Sequence, residues 1–302
     1  MRTVRVSLFA AALFAGGCAS APPPPPRPAV CELDRGAAAA PPDGQAFIAL
    51  ILRGIDPVTR RATSPALDCA GAQVRWDVPA ISCDDGAVAR TLMPDRAVSS
   101  DDVLTTATPS GDTLVWIPTA RYTSGDALGP VALVEVTPTK LRVLALGPLR
   151  TFPSRARLHL EHLGEHEVLV AEGEYCTRPD PASCTRSARL VPLRGNRFVP
   201  EPLLHEDGTC ASGASIDLSR RQTRQVEGRF ERTELSATLS FEPSALSVEE
   251  QVVVADVGDQ PNGTAQRVLH RAQSSRTIRW ANAHLVVTGF PLWSRMVGSS
   301  SW

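Results

Sequence analysis

The chain is expected to fold as an all-β domain rich in antiparallel meanders and hairpins, either a sandwich or a propeller-like array, braced by disulfides. Three observations carry that expectation. Apolar residues recur at a period of two in several stretches of the second half, long helical periodicity is absent, and six cysteines beyond residue 18 are spread through the chain.

Arg2 and Arg5 make a positively charged start, and Val6 to Ala15 form an apolar run of about ten residues, the length of a signal-peptide core and too short to cross a bilayer as a helix. The run ends in Ala15-Gly16-Gly17-Cys18, small residues and then a cysteine. These residues resemble the signal of bacterial lipoproteins, with Ala15 standing where that family prefers leucine and Leu13 two places earlier. The resemblance covers the first twenty or so residues. It implies that residues 1–17 are a signal peptide, that Cys18 is lipidated, and that acyl chains hold the protein on a membrane. Ala19 after the cysteine, in place of aspartate, implies the outer membrane of the cell envelope.

Residues 18–44 read as the lipidated cysteine and a tether. Pro22 to Pro26, Arg27-Pro28, Ala37 to Ala40 and Pro41-Pro42 favour an extended polyproline stalk of ~3.1 Å per residue. Residues 45–302 then form the β-rich domain, with a candidate sub-boundary near residues 100–112. Ala46 to Leu52 reads as an apolar strand, Ile55-Asp56-Pro57 as a turn, and Val74-Arg75-Trp76 as a short strand near a disulfide. Asp84-Asp85-Gly86 is a turn that lacks the carboxylate spacing of a calcium loop. Leu114 to Ile117, Val131 to Val136 and Leu141 to Leu146 are strands joined by short turns and therefore antiparallel.

A similar unit recurs: Leu128-Gly129 with the strands that follow is echoed by Leu163-Gly164, Val168 to Glu172 and Arg189 to Leu193, a spacing that would suit propeller blades. Ser219 to Glu234 is the one candidate helix, weakened by Gly228. Leu235, Ala237, Leu239 and Phe241 alternate with polar residues, Glu242-Pro243-Ser244 turns, and Leu246 to Val257 returns. Thr277 to Trp280 and His284 to Thr288 are strand-like again.

The formal charge of -1 for 302 residues gives no electrostatic case for nucleic acid. Of 31 basic residues only Lys140 is lysine, so arginine abundance reflects composition rather than phosphate binding. Two tyrosines are too few for the aromatic girdles of a membrane barrel. In an oxidising compartment Cys31, Cys69, Cys83, Cys176, Cys184 and Cys210 read as disulfide partners. Cys176 is expected to pair with Cys184 across a proline-containing loop, Cys69 with Cys83, and Cys31 with Cys210.

For chemistry, His162-x-x-Glu165-His166 matches the H-x-x-E-H pattern of inverted zinc peptidases, which requires both histidines on one helical face. Here Leu163-Gly164-Glu165 looks like a hairpin turn, in which His159 and Glu161 share the wet face and His162 and His166 meet across the turn. Ser212, Ser215 and Asp217 are close in sequence, without a G-x-S-x-G elbow. Asp101-Asp102 and Glu249-Glu250 read as solvated charges. Trp76, Trp116, Trp280 and Trp293 are the candidates for stacking on sugar rings. No catalytic residue and no cofactor is assigned. The expected function is a lipid-anchored, non-catalytic binding or scaffolding domain with a protein or glycan partner. A zinc hydrolase at His162, Glu165 and His166 and a carbohydrate- or peptide-binding propeller are the alternatives.

Overall fold

The computed structural model describes residues 27–36, 40–76, 91–93, 97–177, 184–261 and 263–297. Cys18, the Pro22 to Pro26 run, Cys83, Asp84-Asp85-Gly86 and the C-terminal Ser299 to Trp302 lie outside them.

The described chain is all-β with two short helices. In order it comprises β1 (Cys31–Asp34), α1 (Gly44–Ile51), β2 (Leu52–Ile55), β3 (Ala62–Asp68), β4 (Leu104–Ala107), β5 (Thr113–Trp116), β6 (Ala120–Arg121), β7 (Ala127–Val136) and β8 (Lys140–Thr151). There follow β9 (Ser154–Leu163), β10 (His166–Cys176), β11 (Cys184–Arg194), β12 (Arg197–Phe198), β13 (Leu203–Leu204) and β14 (Cys210–Ser212). The last elements are β15 (Ser215–Val226), β16 (Arg229–Glu242), β17 (Ala245–Gly258), β18 (Arg267–Ala281), β19 (His284–Val287) and α2 (Leu292–Val297).

Pairing builds two walls. In the first, β5 and β6 follow one another along one edge of β7, β4 extends β5, and β8 on the other edge of β7 carries β1. The second runs β9–β10–β11–β15–β16–β17–β18–β19–β13–β14. The short β12 bridges them, pairing with both β11 and β8.

The β9–β11 layer is covered on both faces. Leu158, Leu169, Ala171 and Val191 meet Trp116, Val131, Leu133 and Leu149 of the first wall. Leu163, Val168, Val170 and Leu190 point the other way, into a core with Leu246, Val248, Ile278 and Leu285. Two-sided burial is why Val168 to Ala171 reads as an unbroken apolar run rather than an alternation. A third core lies on the outer face of the first wall, where Phe47, Ile48, Leu50 and Ile51 of α1 cover Val115, Val134 and Val143.

Four expectations are corrected. The Ala46 to Leu52 strand is helix α1 followed by the first residue of β2: the Asp43 carboxylate caps it by accepting from Ala46 N–H at 2.9 Å, worth about 1 kcal/mol. A continuous apolar run does not by itself separate helix from strand. The Ser219 to Glu234 helix is the β15–β16 hairpin. Gly228, with φ of 83°, and Glu227, with φ of 49°, are the two central residues of a tight turn whose twist suits a hairpin. Cys31–Asp34, assigned to the tether, is a strand on β8, so the folded body starts before residue 45. The propeller is not supported: the two similar units are β7–β8 and β10–β11, which face each other across a core instead of succeeding one another as blades. A sandwich describes them. Residues 100–112 hold a 3-10 turn, Ser100–Asp102, and most of the β4–β5 hairpin, within the first wall.

Cys176 and Cys184 are joined as expected, at the end of the β10–β11 hairpin where they stand opposite each other. Cys31 is joined to Cys69, not to Cys210, and Cys69 is therefore not joined to Cys83. The reason is topological: β1 on β8 and the end of β3 pack around the same core under α1. Cys210 is also oxidised.

Candidate functional site

The H-x-x-E-H residues lie on a hairpin, not a helix. Gly164, with φ of 68°, and Glu165 turn the chain from β9 to β10, as their sequence suggests. His166 stands opposite Leu163, and His162 opposite Glu167. Opposed residues share a face and neighbours alternate, so His162 and His166 leave opposite faces of the hairpin. His166 stacks on Trp280, ring centroids 4.2 Å apart, while His162 is exposed on the other side. The expected meeting of these two histidines across the turn does not occur, and with Glu165 they do not share an ion in this arrangement. His159 and Glu161 do share a face, 3.9 Å apart, but it is not the wet one expected: they stand opposite Val170 and Val168, half-buried, with His159 edge-on to Phe241. Among the described residues the metal-ligand geometry that does converge is Glu174 with Cys176 and Cys184, whose sulfurs are spent on their disulfide.

The other sequence candidates are likewise occupied. Asp217 pairs with Arg220 at 3.3 Å, and the Ser212 hydroxyl donates to the Ser215 carbonyl. Asp102 caps the Ser100–Asp102 turn and pairs with Arg121. Glu249 and Glu250 part company: Glu250, read as solvated, is buried and doubly bonded to Arg276. None of the four tryptophans is a free platform. Trp116 is buried and donates to the Leu149 carbonyl, and Trp293 is buried with Arg220 over its ring. Trp76 is half-buried near Arg189, and Trp280 has both His166 and Arg194 on its ring.

One cluster was invisible in the sequence. Glu201, 4 % exposed, is ion-paired with Arg194 and lies 3.5 Å from Nδ1 of His284. Arg194 also donates to the Ala283 carbonyl at 2.6 Å. Asn282 and Ala283 both have positive φ, 52° and 64°, an uncommon backbone for alanine. The cluster is thus a clamp on the β18–β19 turn. Its members come from two distant segments, residues 194–201 and 282–284, and no local motif announces it.

What remains open is the outer face of the long strands. In β16 to β18, Leu239, Val248 and Ile278 point to the core, and the intervening residues form cross-strand rows on the other side. Ser236, Gln251 and Gln273 make one row, and Thr238, Glu249 and Ser275 the next. Ser219 of β15 extends the first row. Strand twist shapes this face into a trough of 530 Å³ lined by those six residues together with Glu250 and Ser274, whose own side chains alternate to the other face. A second depression of 310 Å³, shared at Ser236 and Gln251, carries it toward the Arg221–Glu234 ion pair, 2.7 Å long. On this face the trough offers the hydroxyls of Ser236, Thr238 and Ser275, the amides of Gln251 and Gln273 and the Glu249 carboxylate, groups suited to hydrogen bonding. The period-two alternation of β16 located one wall of it in the sequence, but only the register brings the rows together. Comparison of the chain with protein-family models, curated proteins and solved structures yields no match.

Proposed function

We propose that the chain is a lipid-anchored protein of the cell envelope, held through Cys18, whose β domain binds a polar partner in the trough on β16–β18. The observation that carries the binding reading is the two adjoining polar rows, Ser236-Gln251-Gln273 and Thr238-Glu249-Ser275, gathered in one concavity. Donors and acceptors at strand spacing suit a ligand that repeats polar groups, such as a glycan or a polypeptide. The anchor is supported by the apolar run and the Ala15-Gly16-Gly17-Cys18 sequence. Scaffolding without chemistry agrees with the engaged state of Ser212, Asp217, Asp102 and Glu250 described above.

The test is a binding screen of the purified protein on glycan and peptide arrays, repeated with Gln251→Arg, which fills the trough from its centre. A ligand retained by the parent and lost by the variant supports the reading. Ligands bound equally by both place the binding surface elsewhere.

A further inference from the structure

Among the described residues, the sheet β15–β18 ends in an edge that no strand pairs. β19 pairs with Ile278 to Ala281 of β18 only, and Thr277 closes that contact: Thr288 N–H donates to the Thr277 carbonyl at 2.9 Å, and Thr277 N–H to the Thr288 hydroxyl at 3.1 Å. The backbone groups of Thr277 therefore point away from β17. In an antiparallel strand this direction repeats at every second residue, so the N–H and C=O of Ser275, Gln273 and Arg271 point outward too. Among the described residues no strand meets them.

The side chains along this edge are of one sign. From Gly263 to Ala283 the chain has no acidic residue. Arg276 is spent on Glu250 and Arg279 on Glu206, whereas Arg267, His270 and Arg271 are exposed. Arg267 faces Asp256 across the ladder, a carboxylate already bonded to Arg229 and to Gly258 N–H. Beside the arginines, Val268 and Leu269 are 51 % and 39 % exposed. On the opposite side, β15 beyond Ser219, where its pairing with β11 ends, is guarded: Arg220, Arg221 and Arg224 are neutralised by Asp217, Glu234 and Glu231.

We propose that the edge of β18 from Arg267 to Arg276 is a docking site for an extended acidic segment of another protein, which adds to the sheet as a further strand. Main-chain hydrogen bonds to Arg271, Gln273 and Ser275 supply register, and acidic side chains meet Arg267, His270 and Arg271. A second copy of this chain is the poorer occupant, because antiparallel self-pairing sets basic residues beside basic residues. The inference goes beyond the trough: one ligand contacts the face of the sheet, the other its edge, and either can fail alone.

The experiment is hydrogen exchange on the full chain with three synthetic peptides, each supplied at roughly 1 mM to reach weak affinities. One alternates glutamate with valine, one alternates lysine with valine, and one repeats the first with N-methylated backbone amides. The expected result is slowed exchange across residues 271–275 with the glutamate peptide alone, lost in Gln273→Pro, which removes an outward N–H. Exchange in β17 checks that this variant stays folded. Arg271→Glu, which leaves the backbone intact, should weaken the glutamate peptide about tenfold and admit the lysine peptide. Protection by none of the peptides, or equal protection by both charge types, overturns the proposal. So does protection that grows with protein concentration in the absence of peptide, which identifies a second copy as the occupant.

Discussion

Replacing Glu250 by alanine is expected to destabilise the protein by about 3–5 kcal/mol, because it strands a charged guanidinium in the interior. Glu250 and Arg276 are 3 % and 5 % exposed. Their contact is bidentate, Nε to Oε2 at 3.2 Å and Nη2 to Oε1 at 2.7 Å. Oε2 also accepts the Leu292 N–H at 2.9 Å, so the same carboxylate fastens the first turn of α2, whose Leu292 and Trp293 close over Leu235 and Val252. For a domain of this size, 3–5 kcal/mol lowers the melting temperature by about 6–20 °C at 2–4 °C per kcal/mol. The double variant Glu250→Met, Arg276→Met removes both charges. It should recover most of the loss, keeping a deficit of about 1–3 kcal/mol for the orphaned Leu292 N–H. The assay is urea unfolding of the disulfide-intact protein, with thermal melts alongside. A Glu250→Ala protein within about 1 kcal/mol of the parent would falsify the claim that this pair is desolvated. A double variant no more stable than the single one would show that the cost lies in the helix bond instead of the stranded charge.

Further expectations concern other parts of the molecule. Serine replacements of Cys31 and Cys69 should cost about 4 kcal/mol, and of Cys176 and Cys184 about 2.5 kcal/mol, from loop closures over 38 and 8 residues; denaturation midpoints that reverse this order would contradict the loop-entropy account. Gly129→Ala should destabilise by about 1–3 kcal/mol or prevent folding, since its Cβ would sit 1.8 Å from the Ile117 carbonyl oxygen; an unchanged melting curve would deny that close approach. Asp56, Asp207 and Asp256 are held below the usual 3.8, chiefly by Thr59 N–H, the Thr209 hydroxyl and Gly258 N–H respectively. Glu32 is held below 4.5 by Lys140 and then Arg142. Because these folded-state values are depressed, the stability they add is complete above the ordinary values and is lost as pH falls through the lowered ones. Urea midpoints followed downward from pH 7 should thus lose this contribution only in the acid range, and a loss beginning near neutrality would implicate other groups. His162→Ala should leave the zinc content of the purified protein unchanged, which elemental analysis measures directly.

The strands legible in the sequence were those with one wet face. Leu235 to Phe241 alternates because β16 lies between a core and water, and both its span and its turn at Pro243 follow from that pattern. Helix α1 is not legible because every residue from Ala46 to Leu52 is apolar, a pattern that fits either a buried helix or a strand buried on both faces. The β15 strand is hidden for the opposite reason: Arg220 to Gln225 is polar throughout, carrying no period at all, and its strand state comes from pairing with β16. Contacts between distant segments were illegible altogether. Nothing near Cys31 names Cys69 as its partner, and Glu201, Arg194 and His284 meet only after β13 lies down beside β19. For the trough, the polar residues of β16 could be read from their spacing, while Gln251 and Gln273 join them through register.

A backbone hydrogen bond between the β9–β10 and β16–β17 turns sets a distance. Gly164 N–H donates to the Pro243 carbonyl at 2.8 Å, and Arg27 is ion-paired with Glu167 just beyond the first of these turns. The N-terminal approach of the described chain is therefore moored at the same end of the long strands as Ala245. Arg267 lies at the far end, beside Asp256, after a run of strand at ~3.3 Å per residue that amounts to roughly 35–40 Å. With the proposed anchor ahead of Arg27 and the long strands upright on it, those arginines would stand several screening lengths from the surface, each about 8 Å at physiological ionic strength. At that reach the charge of such a surface would be nearly imperceptible to them, leaving the far end of the sheet to respond to what arrives from the opposite side.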